Sequence, residues 1–215
     1  CKALSASGRT VRGVVRSLNF ISKNTDIEYI SVANIDHKCD WKDVLIDVDC
    51  IIHCAGRAHI MNEKKVDGLK LYQSINVDGT KQLAEEAAIA GVKRMIFLSS
   101  VKVNGENTFE NVSLNDDKKK IFMHNDLPNP KDSYAISKFE AENVLWDVSD
   151  KTGLNITIFR LPIVYGYGVK GNLAKLIKII KSGMPLPLGN IKNQRSMIGI
   201  DNLVDVLIIS IDHLA

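Results

Sequence analysis

Tyr134 and Lys138 stand four residues apart in Ser133-Tyr134-Ala135-Ile136-Ser137-Lys138, and Ser100 closes the apolar run Arg94-Met95-Ile96-Phe97-Leu98-Ser99-Ser100. In a helix of 3.6 residues per turn, positions i and i+4 share a face. A free tyrosine ionises near ~10, too high for a base at neutral pH, and a neighbouring ammonium favours the phenolate and lowers that value. A serine hydroxyl at a strand end can hold an alcohol oxygen beside the phenol. Such a Ser/Tyr/Lys trio suits proton transfer to or from an alcohol while a hydride leaves or joins its carbon. The Tyr-x-x-x-Lys spacing alone is a weak signal, because a surface tyrosine and an exposed lysine produce it too. The elements around it decide.

Those elements alternate. Val11–Arg16 and Ile27–Val32 read as short strands, and Asp49–Gly56 as a third, nearly all apolar, as expected when both faces of a sheet are covered. A helix is expected from Leu69 to Ala90, stopped by Gly91. The strand ending at Ser100, a polar loop from Gly105 to Asp132, the Tyr/Lys helix and the apolar strand Asn155–Leu161 follow. Strands alternating with helices predict a parallel, doubly wound α/β sheet, in which ligands bind beyond the carboxyl ends of the strands. Ala55-Gly56, Ser99-Ser100 and Pro162–Gly166 fall at those ends. Phe139, Leu145 and Trp146 are expected in the core, and His59 near the site mouth is read as an ordinary structural residue.

Composition narrows the function classes. The chain has 215 residues and a net charge of only +3, with Lys and Arg scattered, so Asp116–Lys120 reads as a solvated loop and no nucleic-acid partner is expected. No apolar run approaches the ~18 residues of a spanning helix, and no signal peptide is visible. Cys50 and Cys54 lie on one strand about 13 Å apart, beyond the ~7 Å limit of a disulfide. Reduced thiols imply a cytosolic protein. His37, His53, His59, His124 and His213 show no metal-ligand spacing, so no metal is expected. Cys1-Lys2-Ala3-Leu4 reads as the middle of a helix and Val206–Ile211 as one cut short, so a preceding strand and turn are expected.

In order along the chain, His53-Cys54-Ala55-Gly56, Asn76-Val77-Asp78-Gly79-Thr80, Ser99-Ser100-Val101-Lys102-Val103-Asn104-Gly105, Tyr134-x-x-x-Lys138, Arg160-Leu161-Pro162-Ile163-Val164-Tyr165-Gly166 and Arg195 with Ile198–Leu203 resemble the motifs of the extended short-chain dehydrogenase/reductases. The likeness is to their nucleotide-sugar 4-epimerase and reductase branch. It implies a Rossmann-like domain over residues 1–166 and the start of a small substrate-binding region over 167–215. By the same resemblance Ser100, Tyr134 and Lys138 are catalytic. The cofactor would be touched by Arg16, Asn34, Ile35, Cys54, Ala55, Gly56, Asn76, Ser99, Leu161, Pro162 and Val164 besides Tyr134 and Lys138. Asn172, Leu173 and Arg195 would hold the nucleotide diphosphate, a task suited to an arginine fork. The implied substrate is a UDP-linked hexose or N-acetylhexosamine interconverted at C4, with a role in surface polysaccharide synthesis, and the implied assembly is a homodimer through the 70–90 and 133–152 helices.

The departures carry information too. The G-x-x-G-x-x-G turn of the family does not occur ahead of Val11, so the pyrophosphate glycines are not assigned. Where NAD-specific members end the second strand with an acid, this chain has Val15, Arg16 and Ser17, so NADP is expected slightly ahead of NAD. Val101-Lys102 replace the Asp-Glu of the sugar dehydratases, which argues against water elimination. A 4-keto-sugar reductase using the trio once is the alternative; a cofactor-sensing protein without catalysis should have lost part of the trio.

Overall fold

The strand Arg94–Ser100 (β4) lies at the centre of the molecule, with Met95, Ile96 and Phe97 fully buried. Six apolar or small residues after Arg94 leave it no polar face, as a strand covered on both sides requires. In this computed structural model, which describes residues 1–20, 26–58, 65–108, 121–169, 171–186, 189–190 and 194–213, β4 pairs in parallel with Cys50–His53 (β3) and Asn155–Leu161 (β5). The ladder to β5 runs in register from Arg94–Asn155 to Ser100–Leu161. Arg12–Val15 (β1) and Glu28–Ser31 (β2) form a second parallel pair, and Ile163–Tyr165 (β6) and Met197–Gly199 (β7) a third. The expected parallel α/β layout is present, distributed over three groups of strands rather than one uninterrupted ladder.

Helices close the layers. After the short Lys2–Ala6 (α1), the segment expected as one helix is Lys65–Tyr72 (α2) and Gly79–Ile89 (α3), joined by a wider π-turn stretch over Gln73–Asp78. Ser133–Thr152 (α4) begins where the Asp132 carboxylate accepts from the Ala135 amide at 2.7 Å and ends at Gly153, whose φ of +77° closes the last turn. Gly171–Lys181 (α5) and Ile200–Asp212 (α6) follow β6 and β7. Arg94 donates to the Ser210 and Ile211 carbonyls at 2.7 and 3.2 Å, placing a cation at the carboxyl end of α6.

The core joins α3, α4 and the strands through Trp41, Leu45, Leu83, Ala84, Ala87, Phe97, Ala141, Leu145 and Ile156. Small residues on α3 and α4 let these helices lie close together. Leu145 is fully buried, but its neighbour Trp146 is 47% exposed, contrary to expectation. One residue turns a helix by about 100°, and that step carries the indole out of the core. Cys1, Cys39, Cys50 and Cys54 are free thiols. Among the described residues no helix is long and apolar enough to cross a membrane, and no group of metal-ligating side chains converges. His59 and Asp116–Lys120 lie outside the described residues.

Candidate active site

Two local features bring Ser100 and Tyr134 together. Ser100 is the last residue of β4, paired with Leu161, and its Oγ accepts from the Lys102 amide at 3.3 Å as the chain turns. Tyr134 sits in the first turn of α4, directly after the Asp132 cap. Ser100 and Tyr134 line the same cavity. Burial pushes the Tyr134 pKa up, the Ser100 hydrogen bond opposes that rise, and the nearby Asp132 carboxylate and Tyr72 phenol add to it. The Tyr72 ring lies edge-on, 6.3 Å from the Tyr134 ring.

Lys138 comes one turn later and is buried. Its Nζ donates to the Leu98 carbonyl at 2.8 Å and lies 4.3 Å from the centre of the Phe97 ring. Burial brings its pKa down to about 8, against a smaller upward pull from Cys54 and Glu142. Ser100 is the group that opposes the rise at the phenol, while the Lys138 ammonium is hydrogen-bonded to the end of β4.

The turn after β3 is held against Lys138. A Cβ added to Gly56 would stand 3.2 Å from Asn76 Oδ1 and 3.3 Å from Lys138 Nζ, so only glycine leaves this approach relaxed. Asn76, buried in the π-turn stretch, accepts from the Arg57 amide at 2.7 Å and donates to the Arg57 carbonyl at 3.1 Å and Ser137 Oγ at 2.9 Å. It thereby fastens the β3 turn to α4. The local widening of the helix aims Asn76 inward, a frequent use of such turns.

Behind the trio lies a buried polar network. Ser99 Oγ donates to Glu142, which is two turns beyond Tyr134 on the same face of α4. Glu142 in turn receives Arg160 through Nε at 3.1 and 3.2 Å and through Nη2 at 2.7 Å. Arg160 Nη1 reaches Asn104 Oδ1 at 3.3 Å, and Asn104 donates to the Met123 carbonyl at 3.1 Å. This fork ties β4, α4 and β5 together beneath the site. His53 is fully enclosed, with Nε2 3.0 Å from Thr80 Oγ1, and burial helped by the Lys138 charge lowers its pKa to about 3.

A cavity of about 270 Å³ opens over these residues. Of the residues expected at the site, Cys54, Gly56, Ser99, Ser100, Tyr134, Lys138, Leu161, Pro162 and Val164 line it, and Ala58 and Leu98 join them unforeseen. Ala55 and Asn76 shape the turn beside it. Arg16, Asn34 and Ile35 are not in its lining: Arg16 is exposed directly after β1, and Asn34 is exposed after β2. Ile35 packs on the core, and its carbonyl would meet a Gly79 Cβ at 2.7 Å, which accounts for that glycine. Asn172 and Leu173 open α5, and Arg195 is exposed two residues ahead of β7, the partner of β6. Sequence reading also missed the turn between β6 and α5, where Gly166, Gly168 and Gly171 all have positive φ. Their G-x-G-x-x-G spacing was the available signal, and at Gly166 a Cβ would lie 2.3 Å from Ile200 Cγ2.

The parallel strands and the Ser/Tyr/Lys cavity at their carboxyl ends define a Rossmann-like protein of the extended short-chain dehydrogenase/reductase type. Residues 1–215 match the NAD dependent epimerase/dehydratase family, and the chain belongs to it. It is 41% identical over 183 residues to a UDP-glucose 4-epimerase of Vibrio cholerae, covering 85% of this chain and 53% of that protein. An N-acetyl-alpha-D-glucosaminyl-diphospho-ditrans,octacis-undecaprenol 4-epimerase of Escherichia coli O157:H7 is 33% identical over 144 residues, 66% of this chain and 40% of the relative. The chain thus spans about half the length of the curated relatives it matches. Among solved structures, UDP-glucuronic acid 4-epimerase from Bacillus cereus with UDP-glucuronic acid and NAD superposes at a TM-score of 0.79 and 22% identity, over 100% of this chain and 69% of the other. UDP-glucose 4-epimerase from Thermotoga maritima with UDP-glucose gives 0.75 and 21%, over 98% and 68%. At these identities the likeness establishes the fold.

Proposed function

We propose that the full-length protein is an NAD(P)-dependent 4-epimerase acting on a hexose or N-acetylhexosamine carried on a diphosphate, UDP-linked in the first instance. The observation that carries this reading is a cavity lined by Ser100, Tyr134 and Lys138 together. The cavity fits a nicotinamide riboside. Gly56 leaves room beside the Lys138 ammonium, a donor suited to ribose hydroxyls, and Leu161, Pro162 and Val164 give an apolar wall for the ring. A bound nicotinamide would supply a reversible hydride acceptor for C4 of the sugar.

The protein's own residues do the rest. Tyr134 as phenolate removes the proton from the 4-hydroxyl, and Ser100 holds O4 as the alcohol becomes a carbonyl. After the 4-keto sugar turns its other face, Tyr134 returns the proton to O4. Positioned acid–base catalysis of this kind contributes about 10²–10⁴-fold. Lys138 places a positive charge beside the ribose. The amino end of α5, opened by the glycine turn and Asn172, together with Arg195 suits the diphosphate. The relatives' names support this substrate class: one acts on a UDP-sugar, the other on a hexosamine joined through diphosphate to undecaprenol, and this supports a place in surface polysaccharide synthesis. Leu71, Ile89 and Trp146 leave apolar surface on the helices through which two copies would pair.

Arg16, exposed next to Val15, which stands where an acidic residue would favour NAD, supports the second reading, an NADPH-dependent 4-keto-sugar reductase. The two are separated by incubating the full-length protein with a panel of UDP-sugars and either cofactor. A C4 epimer without net change in nicotinamide absorbance is expected. Stoichiometric cofactor consumption would establish the reductase instead.

A further inference from the structure

Val101-Lys102 stand in the places of the dehydratases' Asp-Glu, and the proposed epimerisation gives Lys102 no task. Its position is nevertheless specific. Its amide donates to Ser100 Oγ at 3.3 Å, and its ammonium forms an ion pair with Asp132 Oδ2. The other oxygen of the same carboxylate, Oδ1, accepts from the Ala135 amide at 2.7 Å and caps α4. Lys102 therefore bridges the two elements that present the site's hydroxyl and phenol to each other.

The cap has an electrostatic cost. A carboxylate at the amino end of a helix is favourable for the helix. Two residues from Tyr134, however, the same charge opposes formation of the phenolate. We propose that Lys102 is a positioning residue: by compensating the Asp132 carboxylate, it lets α4 keep its anionic cap without holding Tyr134 in the protonated state. This rests on the reading of Tyr134 as the proton acceptor.

Among the described residues, the other groups near the phenol come from four elements. Ser100 approaches from β4, Tyr72 from α2, Cys54 and Arg57 from the turn after β3, and Lys138 from α4 itself, with Glu142 behind it. Ser100 carries no charge, and burial holds the Cys54 thiol above its ordinary value. Arg57 lies 5.9 Å from the centre of the Tyr72 ring, while Glu142 is committed to Arg160. Lys138 titrates in the neighbourhood of pH 8, so a displaced profile in one variant would not identify its source. Two variants of opposite sign would.

The test is therefore a charge cycle in the full-length protein, read as the rising acid limb of kcat/KM against pH. Lys102→Met removes the ammonium beside Asp132 and should move the limb to higher pH. Asp132→Asn keeps an acceptor toward Ala135 but removes the carboxylate charge, and should move it to lower pH. A partly screened charge at this range acts on the scale of roughly one pH unit, seen as about a tenfold change in rate below the midpoint. The double variant should return the limb to near the wild-type position. A purely structural bridge would instead lower the unfolding temperature in both single variants without displacing the limbs in opposite directions. Limbs that stay in place, or move together, in an active protein overturn the inference. If wild-type protein turns over no sugar diphosphate, the proposed function fails by itself. The tyrosinate absorbance titration of each protein minus its Tyr134→Phe counterpart then decides the charge cycle by the same opposed displacements.

Discussion

His53 offers a quantitative test of the packing behind the site. It is fully enclosed next to Phe97, 3.0 Å from Thr80, and remains neutral in the fold until about pH 3. In the unfolded chain it takes up a proton near its ordinary 6.5. The folded state thus binds fewer protons than the unfolded state throughout that interval. The stability contributed by neutral His53 is fully present above pH 6.5 and is lost as pH falls from 6.5 toward 3. At pH 5 the unfolded state gains about 2 kcal/mol from this one proton, whereas at pH 7.5 it gains almost nothing. His53→Gln can still hydrogen-bond Thr80 but does not titrate. Urea unfolding of the full-length wild type and variant at pH 7.5 and 5.0 measures the difference. The wild type should lose about 2 kcal/mol more than the variant on acidification. Equal losses would mean that His53 is hydrated or protonated in the fold and would contradict its burial behind the site.

Further substitutions probe the remaining joints. Gly56→Ala introduces a methyl at 3.2–3.3 Å from Asn76 and Lys138, so it should weaken nicotinamide cofactor binding about tenfold by fluorescence titration, with little effect on helix content. Glu142→Gln strands Arg160 in its pocket and should cost about 3 kcal/mol or more in chemical unfolding. Arg16→Ala should weaken NADP(H) about tenfold while sparing NAD(H); equal losses, or a strong native preference for NAD(H), would remove the reason for placing NADP first.

The parts of the site that were legible in the sequence are those encoded over short distances. Tyr134 and Lys138 share a helix face through i, i+4 spacing, and Ser100 ends an uninterrupted apolar run; both patterns are fixed by local geometry. The fully buried members of the β4 strand follow from the same run. What could not be read were partnerships between distant segments. Glu142 with Arg160, His53 with Thr80 and Asn76 with the Arg57 turn all depend on how layers stack. The hydrogen bond from the Lys138 ammonium to the Leu98 carbonyl likewise joins segments distant in sequence. The π-turn between α2 and α3 left no mark in residue type, and Trp146 was misplaced because apolar identity does not determine which side of a helix faces the core. The glycine turn before α5 was readable and was overlooked among the stronger motifs.

The central claim is that Tyr134 moves the proton while the hydride at C4 leaves and comes back within one active site. It is tested most directly with a UDP-sugar carrying deuterium at C4, incubated with the full-length protein and its Tyr134→Phe variant in ordinary water. The account predicts a C4 epimer that retains the deuterium at C4, formed without net change in nicotinamide absorbance, and a rate at least ~10²-fold lower in the variant. Loss of the label to solvent, or undiminished turnover by Tyr134→Phe, would contradict it.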